Sequence, residues 1–182
     1  STAVREKEKG TAKALVNKDA EIITIVRDIK KKSNVDILGL RKKITIIHGD
    51  IADFADCERV VNEYDVEFCF HIAAQAIVGP ANRSPLSTFD SNIKGTWNVL
   101  EACRLSKTIK GVIIASSDKA YGRQKKLPYT EESPLNGYFP YDASKACAEI
   151  IARCYFMTYN LPLAITRNAN TYGPADMNIS RI

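Results

Sequence analysis

The chain has 182 residues, 45% hydrophobic and 26% charged, with a formal net charge of +5, the balance of one ordinary globular domain with a sizeable core. No apolar run approaches the ~20 residues of a membrane span, and the opening Ser1-Thr-Ala-Val-Arg-Glu-Lys-Glu-Lys9 does not read as a signal peptide. The basic excess suits an anionic substrate or simply a solvated surface, and it lacks the aromatic interleaving that nucleic-acid binding would need.

Residues 5–18 are charged and Ala-rich and predict a helix. Glu21–Val26 is a buried-strand run, followed by a basic, polar connection over 29–42 and a second strand, Lys43–Ile47, closing on His48-Gly-Asp50. Asp53–Tyr64 has helical spacing, with Phe54, Cys57, Val60 and Val61 as its apolar stripe. Val66–Ile72 is a third strand. Residues 91–105 predict a helix with Ile93, Trp97, Leu100 and Cys103 on one side and Lys94, Asn98 and Glu101 elsewhere. Gly111–Ser116 is a fourth strand, Pro128–Pro140 a loop broken by Pro134 and Gly137, Tyr141 the start of a helix, and Leu161–Thr166 a fifth strand.

Short apolar strands alternating with helices imply an α/β fold with a parallel sheet. Ligands in such sheets bind beyond the carboxyl ends of the strands. The polar residues of this chain collect at those ends: Asp28, His48-Gly-Asp50, Ala73-Ala-Gln75, Ser116-Ser-Asp-Lys119 and Asn168-Ala-Asn170. Five cysteines (57, 69, 103, 147 and 154) show no C-x-x-C spacing and have only His48 and His71 to join them. Reduced thiols in a cytoplasmic protein, and no metal site, are the expectation. His71, on a strand, reads as a packed core histidine.

Tyr141 and Lys145 stand four apart on the helix after the loop, and so share a face. A fixed ammonium lowers the pKa of a neighbouring phenol, so that a phenolate can take a proton near neutral pH. The spacing alone also fits an exposed helix face. Ser117 could equally cap a turn, Asn92 could be an ordinary helix residue, Gln75 could satisfy loop backbone, and Asp50 could be a turn residue.

In order and spacing, His71-Ile-Ala-Ala-Gln75, Asn92, Ser116-Ser-Asp-Lys-Ala-Tyr-Gly122, Tyr141-x-x-x-Lys145 and Arg167-x-x-Asn-x-Tyr-Gly-Pro174 resemble the extended short-chain dehydrogenase/reductases, the NAD-dependent nucleotide-sugar epimerases and dehydratases. The likeness runs from about residue 11 to the end. It implies a Rossmann-like doubly wound sheet with Tyr141 as the base for the sugar 4-hydroxyl, Lys145 supporting it and holding the nicotinamide ribose, and Ser117 bonded to the reacting oxygen. It further implies Asp50 and Ile51 beside the adenine, Ala73, Ala74 and Gln75 under the cofactor, Ser116 and Asn92 near it, and Asn168 and Asn170 meeting nicotinamide or sugar. Asp28, after the strand Glu21–Val26, favours NAD over NADP, although Arg27 beside it could greet a 2′-phosphate.

Ser117 is followed by Asp118 and Lys119, where 4,6-dehydratases place an acid and epimerases a small or apolar residue. Eliminating water across C5–C6 needs an acid and a base. Asp118 suits the acid, and the lysine after it resembles the CDP-glucose 4,6-dehydratase type, as does the stretch 76–89. A solvated turn pair is the plain alternative.

The chain departs from this pattern at its start. The family opens with a strand and G-x-x-G-x-x-G, whereas here Val4-Arg-Glu-Lys-Glu-Lys9 stands in that place and Gly10 could match only the last glycine. Without its central first strand the sheet would be interrupted, and the C-terminal substrate-binding region is not present. The expectation is therefore a partial NAD-binding domain over 1–182 of a nucleotide-sugar 4,6-dehydratase. A 4-epimerase and a non-catalytic remnant that dimerises through helices 91–105 and 141–159 are the alternatives.

Overall fold

The computed structural model describes residues 6–28, 36, 39–75, 78–124 and 127–170. Val4 and Arg5, most of the 29–42 connection, Ala76 and Ile77, Lys125 and Lys126, and the Tyr172-Gly-Pro174 end of the last motif lie outside the described residues. The chain divides into two compact units, one containing residues 1–50 with 170–182 and the other Ile51–Ala169.

In the first unit, α1 (Glu6–Val16) leads to β1 (Ile23–Val26) and β2 (Thr45–His48), which pair in parallel with Ile23 opposite Thr45 and Val26 opposite His48. Gly10 lies inside α1, and a Cβ there would meet nothing within 4 Å, so no close backbone approach is imposed at that glycine.

The second unit holds α2 (Phe54–Glu63), β3 (Phe68–His71), two short helices α3 (Val78–Arg83) and α4 (Pro85–Phe89), a π-helical turn at Asp90–Lys94, α5 (Gly95–Leu105), β4 (Gly111–Ser117), a 3-10 turn at Asp118–Tyr121, α6 (Pro140–Tyr159) and β5 (Leu163–Asn168). The Asp53 side chain caps α2 by accepting the Ala55 N–H at 3.0 Å, and the expected stripe buries Cys57, Val60 and Val61. The strands form one parallel sheet in the order β3-β4-β5. Val112 and Ile114 of β4 are buried with Val99, Leu100, Cys103, Ala152 and Leu161, the apolar cluster that fixes α5 and α6 on the sheet. The α6 helix packs on β4, β5, the 3-10 turn and the π turn.

The α/β class and parallel pairing are those the alternating pattern predicts. The described strands fall in two sheets, β1-β2 and β3-β4-β5.

The face of α5 is a correction. Leu100 and Cys103 are buried, but so are Thr96, Asn98, Val99 and Ala102, while Trp97 is 42% exposed. The π turn winds the chain more slowly than 3.6 residues per turn and shifts the phase of the helix after it. The Ile51 carbonyl then draws Asn98 inward by accepting its amide at 2.9 Å. The short helices were also not foreseen, because Pro80 and Pro85 break their periodicity; Pro85 opens α4.

Candidate active site

β4 is buried at alternate positions and stays extended through Ser117, so both serines sit at its carboxyl end. Ser117 has two roles there. Its Oγ accepts the Lys119 N–H at 3.3 Å and donates to Asp118 Oδ1 at 3.0 Å, so it caps the turn and engages the acid beside it. Lys119 Nζ lies 3.6 Å from Asp118 Oδ2. The turn ends at Gly122, with φ 61° and ψ −151°, and a Cβ there would fall 1.7 Å from the Asn136 carbonyl oxygen. Only glycine lets the returning loop cross at this point.

Pro140 opens α6 with its fixed φ. Tyr141 in the first turn and Lys145 one turn on are both buried. Lys145 Nζ donates to the Ala115 carbonyl at 2.7 Å, placing its ammonium against the end of β4. Ser144 Oγ donates to the Tyr141 carbonyl at 2.7 Å. Burial raises the Asp142 carboxyl above its ordinary range; Lys119 opposes that shift and Asp118 adds to it. Asp118, Lys119 and Asp142 therefore share one electrostatic neighbourhood. Asp142 was not read from the sequence, although its place inside Tyr-x-x-x-Lys was a signal.

Asn92 lies in the π turn and is 2% exposed. Its Oδ1 accepts the Gln75 N–H at 2.6 Å, while its Nδ2 donates to the Gln75 carbonyl at 3.1 Å and to Ser144 Oγ at 2.8 Å. One side chain thus ties the segment Ala73-Ala74-Gln75, which follows β3, to the first turn of α6. Asn168 ends β5 opposite Ser117, and its amide donates to Thr166 Oγ1 at 2.9 Å. Ser116 turns into the interior, where its hydroxyl donates to Glu149. The Ile51 carbonyl holds Asn98, as above. Asp28 and Asp50 belong to the first unit, where Arg27 lies 3.4 Å from one carboxylate and 3.6 Å from the other. With two acids beside it, Arg27 is poorly placed to greet a 2′-phosphate. Asn170 falls on the same side of the unit boundary. Among the described residues no group of His, Cys, Asp and Glu could hold a metal ion, and no helix is long and apolar enough to cross a membrane.

His71 is buried, with Nε2 2.9 Å from Thr96 Oγ1, and that hydroxyl donates to the Asn92 carbonyl at 2.6 Å. The threonine proton is therefore committed, so the imidazole donates from Nε2. Burial, with Lys145 adding its charge, pushes the His71 pKa down to about 3. Above the unfolded value of about 6.5 both states carry a neutral ring. Below it the unfolded chain gains a proton that the folded chain refuses, so stability falls by about 1.4 kcal/mol per pH unit towards the folded value. Between pH 6.5 and 5 this group should lower the unfolding free energy by about 2 kcal/mol, read from urea midpoints. His71→Gln should remove that part of the slope; an unchanged slope would mean that other groups set it.

Among parallel α/β folds, one large class places a tyrosine and a lysine in this relation at the start of the helix that packs against such a strand end: the extended short-chain dehydrogenase/reductases, the NAD-dependent epimerases and dehydratases. Residues 10–180 match the family model described as GDP-mannose 4,6 dehydratase, and the chain belongs to that family. It is 33% identical over 144 residues to the CDP-glucose 4,6-dehydratase of Salmonella typhimurium, covering 74% of this chain and 40% of that protein. It is 34% identical over 135 residues to a putative UDP-glucose 4-epimerase of Methanocaldococcus jannaschii, covering 74% of this chain and 44% of the relative. DesIV, a dTDP-glucose 4,6-dehydratase from Streptomyces venezuelae solved with NAD and TYD bound, superposes with a TM-score of 0.78 at 29% identity over 91% of this chain and 52% of that one. The chain thus spans about half or less of the length of these relatives.

NAD is the cofactor of this family's enzymes. The residues to which the resemblance assigns its nicotinamide end, Tyr141, Lys145 and Asn168 among them, lie in the second unit, and Asp28 has the acceptor chemistry for adenosine ribose hydroxyls. The pyrophosphate end is different: no two of the nine glycines stand three residues apart, so the described residues supply no glycine-rich cradle.

Proposed function

We propose that this chain is part of a nucleotide-sugar 4,6-dehydratase acting on a CDP-glucose-like substrate. The carrying observation is the turn after β4, where Asp118 takes Ser117 on one oxygen and Lys119 on the other, packed against the helix bearing Tyr141 and Lys145. Bound NAD would supply the acceptor for the C4 hydride and the donor that returns it to C6. In this reading Tyr141, as phenolate, takes the 4-hydroxyl proton while the C4–H bond breaks, and the Lys145 ammonium favours the phenolate. Ser117 holds the oxygen that becomes the ketone. The 4-keto group acidifies the C5 proton, which Lys119 takes once its own proton has passed to Asp118, 3.6 Å away. The C5–H electrons form the C5–C6 double bond, and the 6-hydroxyl leaves as water with a proton from Asp118. Lys119 then returns its proton to C5 as C6 is reduced. Lys145 and Tyr141 would hold the nicotinamide end, along with Ala73, Ala74, Gln75 and Asn168.

The epimerase relative supports a second reading, 4-epimerisation. Mass spectrometry of the native protein incubated with NAD and CDP-, dTDP- or UDP-glucose separates the two. A product lighter by one water is expected, an isomer of unchanged mass would replace the dehydratase by the epimerase, and no product would favour the non-catalytic alternative.

We also infer a homodimer through α5 and α6, which leave Trp97, Ile150, Phe156 and Met157 exposed. Four large apolar side chains exposed on two helices are more than a solvated surface requires. Sedimentation equilibrium should give twice the chain mass, reduced to one chain by Phe156→Glu with Met157→Glu; a monomeric wild type would end this reading.

A further inference from the structure

Arg167 has no part in the chemistry above, yet its guanidinium joins Glu149, Tyr121 and Glu131. It stands on β5 opposite Ser116 of β4, one residue before Asn168. Its Nε donates to Glu149 Oε2 at 2.8 Å, and Ser116 Oγ donates to the other oxygen of that carboxylate. Glu149 is wholly buried on α6, one turn beyond Lys145. Nη1 of Arg167 donates to Tyr121 Oη at 3.0 Å and to the Glu131 carbonyl at 2.7 Å, and the guanidinium centre lies 4.9 Å from the Tyr121 ring centroid. Tyr121 ends the turn that carries Asp118 and Lys119, and its ring stacks 5.0 Å from that of Tyr129.

We propose that Arg167 is a positioning residue for the elimination step, holding the Asp118–Lys119 turn in register with the Tyr141–Lys145 helix. This rests on the dehydratase reading above. The planar fork of the guanidinium is what allows it: one edge faces the helix through Glu149, and the other faces the turn through Tyr121 and the loop through Glu131. A lysine ammonium keeps the charge next to Glu149 but cannot reproduce the fork. Substituting lysine therefore keeps the helix arm and releases the turn arm. Misplacement of a catalytic group by about 1 Å can cost on the order of a hundredfold in rate, and here the loss falls on elimination and not on C4 oxidation.

The test is single turnover of the native protein with NAD and CDP-glucose, following reduced-nicotinamide absorbance as it rises with C4 oxidation and falls after elimination. Arg167→Lys should leave the rise within about threefold of wild type and slow the fall by at least about tenfold, so that the reduced form accumulates. Tyr121→Phe keeps the ring but removes the hydroxyl, and should slow the fall in the same sense if the arginine variant does not fold. Hydrogen exchange gives a readout independent of turnover: amides 119–122 should lose protection in Arg167→Lys while those of 144–149 keep theirs. A merely structural role would scale both phases together with the folded fraction, and an unchanged ratio of the phases in both variants overturns the assignment. A wild type that dehydrates none of the three glucose nucleotides would fail earlier and take the dehydratase reading, with this assignment, down with it.

Discussion

Replacing Tyr141 by Phe should lower the rate of C4 oxidation by about 10²–10⁴-fold in the native protein, the range for loss of a positioned general base. The fold should survive. The ring is buried in the first turn of α6, and phenylalanine fills the same space. The backbone bond that orders this turn runs from the Ser144 hydroxyl to the Tyr141 carbonyl, which the substitution leaves in place. Loss of the hydroxyl should therefore cost no more than about 1 kcal/mol of stability. Lys145 should also stay where it is, since its ammonium is seated on the Ala115 carbonyl. Two measurements together decide the matter: the reduced-nicotinamide transient with CDP-glucose, and the urea midpoint. A transient within tenfold of wild type would remove Tyr141 from the proposed base role, whatever the midpoint showed.

What could be read from the sequence, and what could not, divides along a physical line. Strands β3 to β5 and helix α6 were legible because their signals are local: apolar runs ended by polar residues, or a periodic face after a proline. The fold class followed from their alternation. His71 was legible as a packed histidine because it sits within an apolar strand, and it is buried against Thr96. The Asn92 clamp was only half legible. Its place near the site could be expected from the resemblance, but the π turn that aims it depends on hydrogen bonds that no apolar period reports. That turn also set the phase of α5 and put Trp97 on the surface. The joining of Ser116, Glu149 and Arg167 into one group was not legible. Ser116 and Arg167 each stood in a motif that carried the resemblance, but they lie 33 and 18 residues from Glu149, and nothing in the sequence ties either of them to it. Only the β4–β5 register and the seat of α6 on the sheet bring them together.

That buried group yields the largest expected stability effect. Glu149 is wholly buried and the Arg167 side chain is 17% exposed, so their charges are largely out of water. Taking two charges from water costs several kcal/mol each, and their attraction returns this only when the remaining hydrogen bonds are made. Here they are made: Ser116 and Arg167 each take one carboxylate oxygen, while Tyr121 and the Glu131 carbonyl accept from the guanidinium. Glu149→Leu should therefore destabilise the native protein by about 3–5 kcal/mol, because it strands a partly buried guanidinium and a buried hydroxyl. Adding Arg167→Met should recover part of this loss, leaving a deficit of about 1 kcal/mol for each of Ser116 and Tyr121, which are buried and lose a partner, while the exposed Glu131 carbonyl turns to water. Urea titrations of the two single variants and the double variant measure the coupling. A single-variant loss below about 1 kcal/mol would show that water reaches the pair and that its charges are screened. If the double variant regains stability but not the elimination rate, the ion pair is kept for where it places the Asp118–Lys119 turn, since an apolar pair would then hold the core nearly as well.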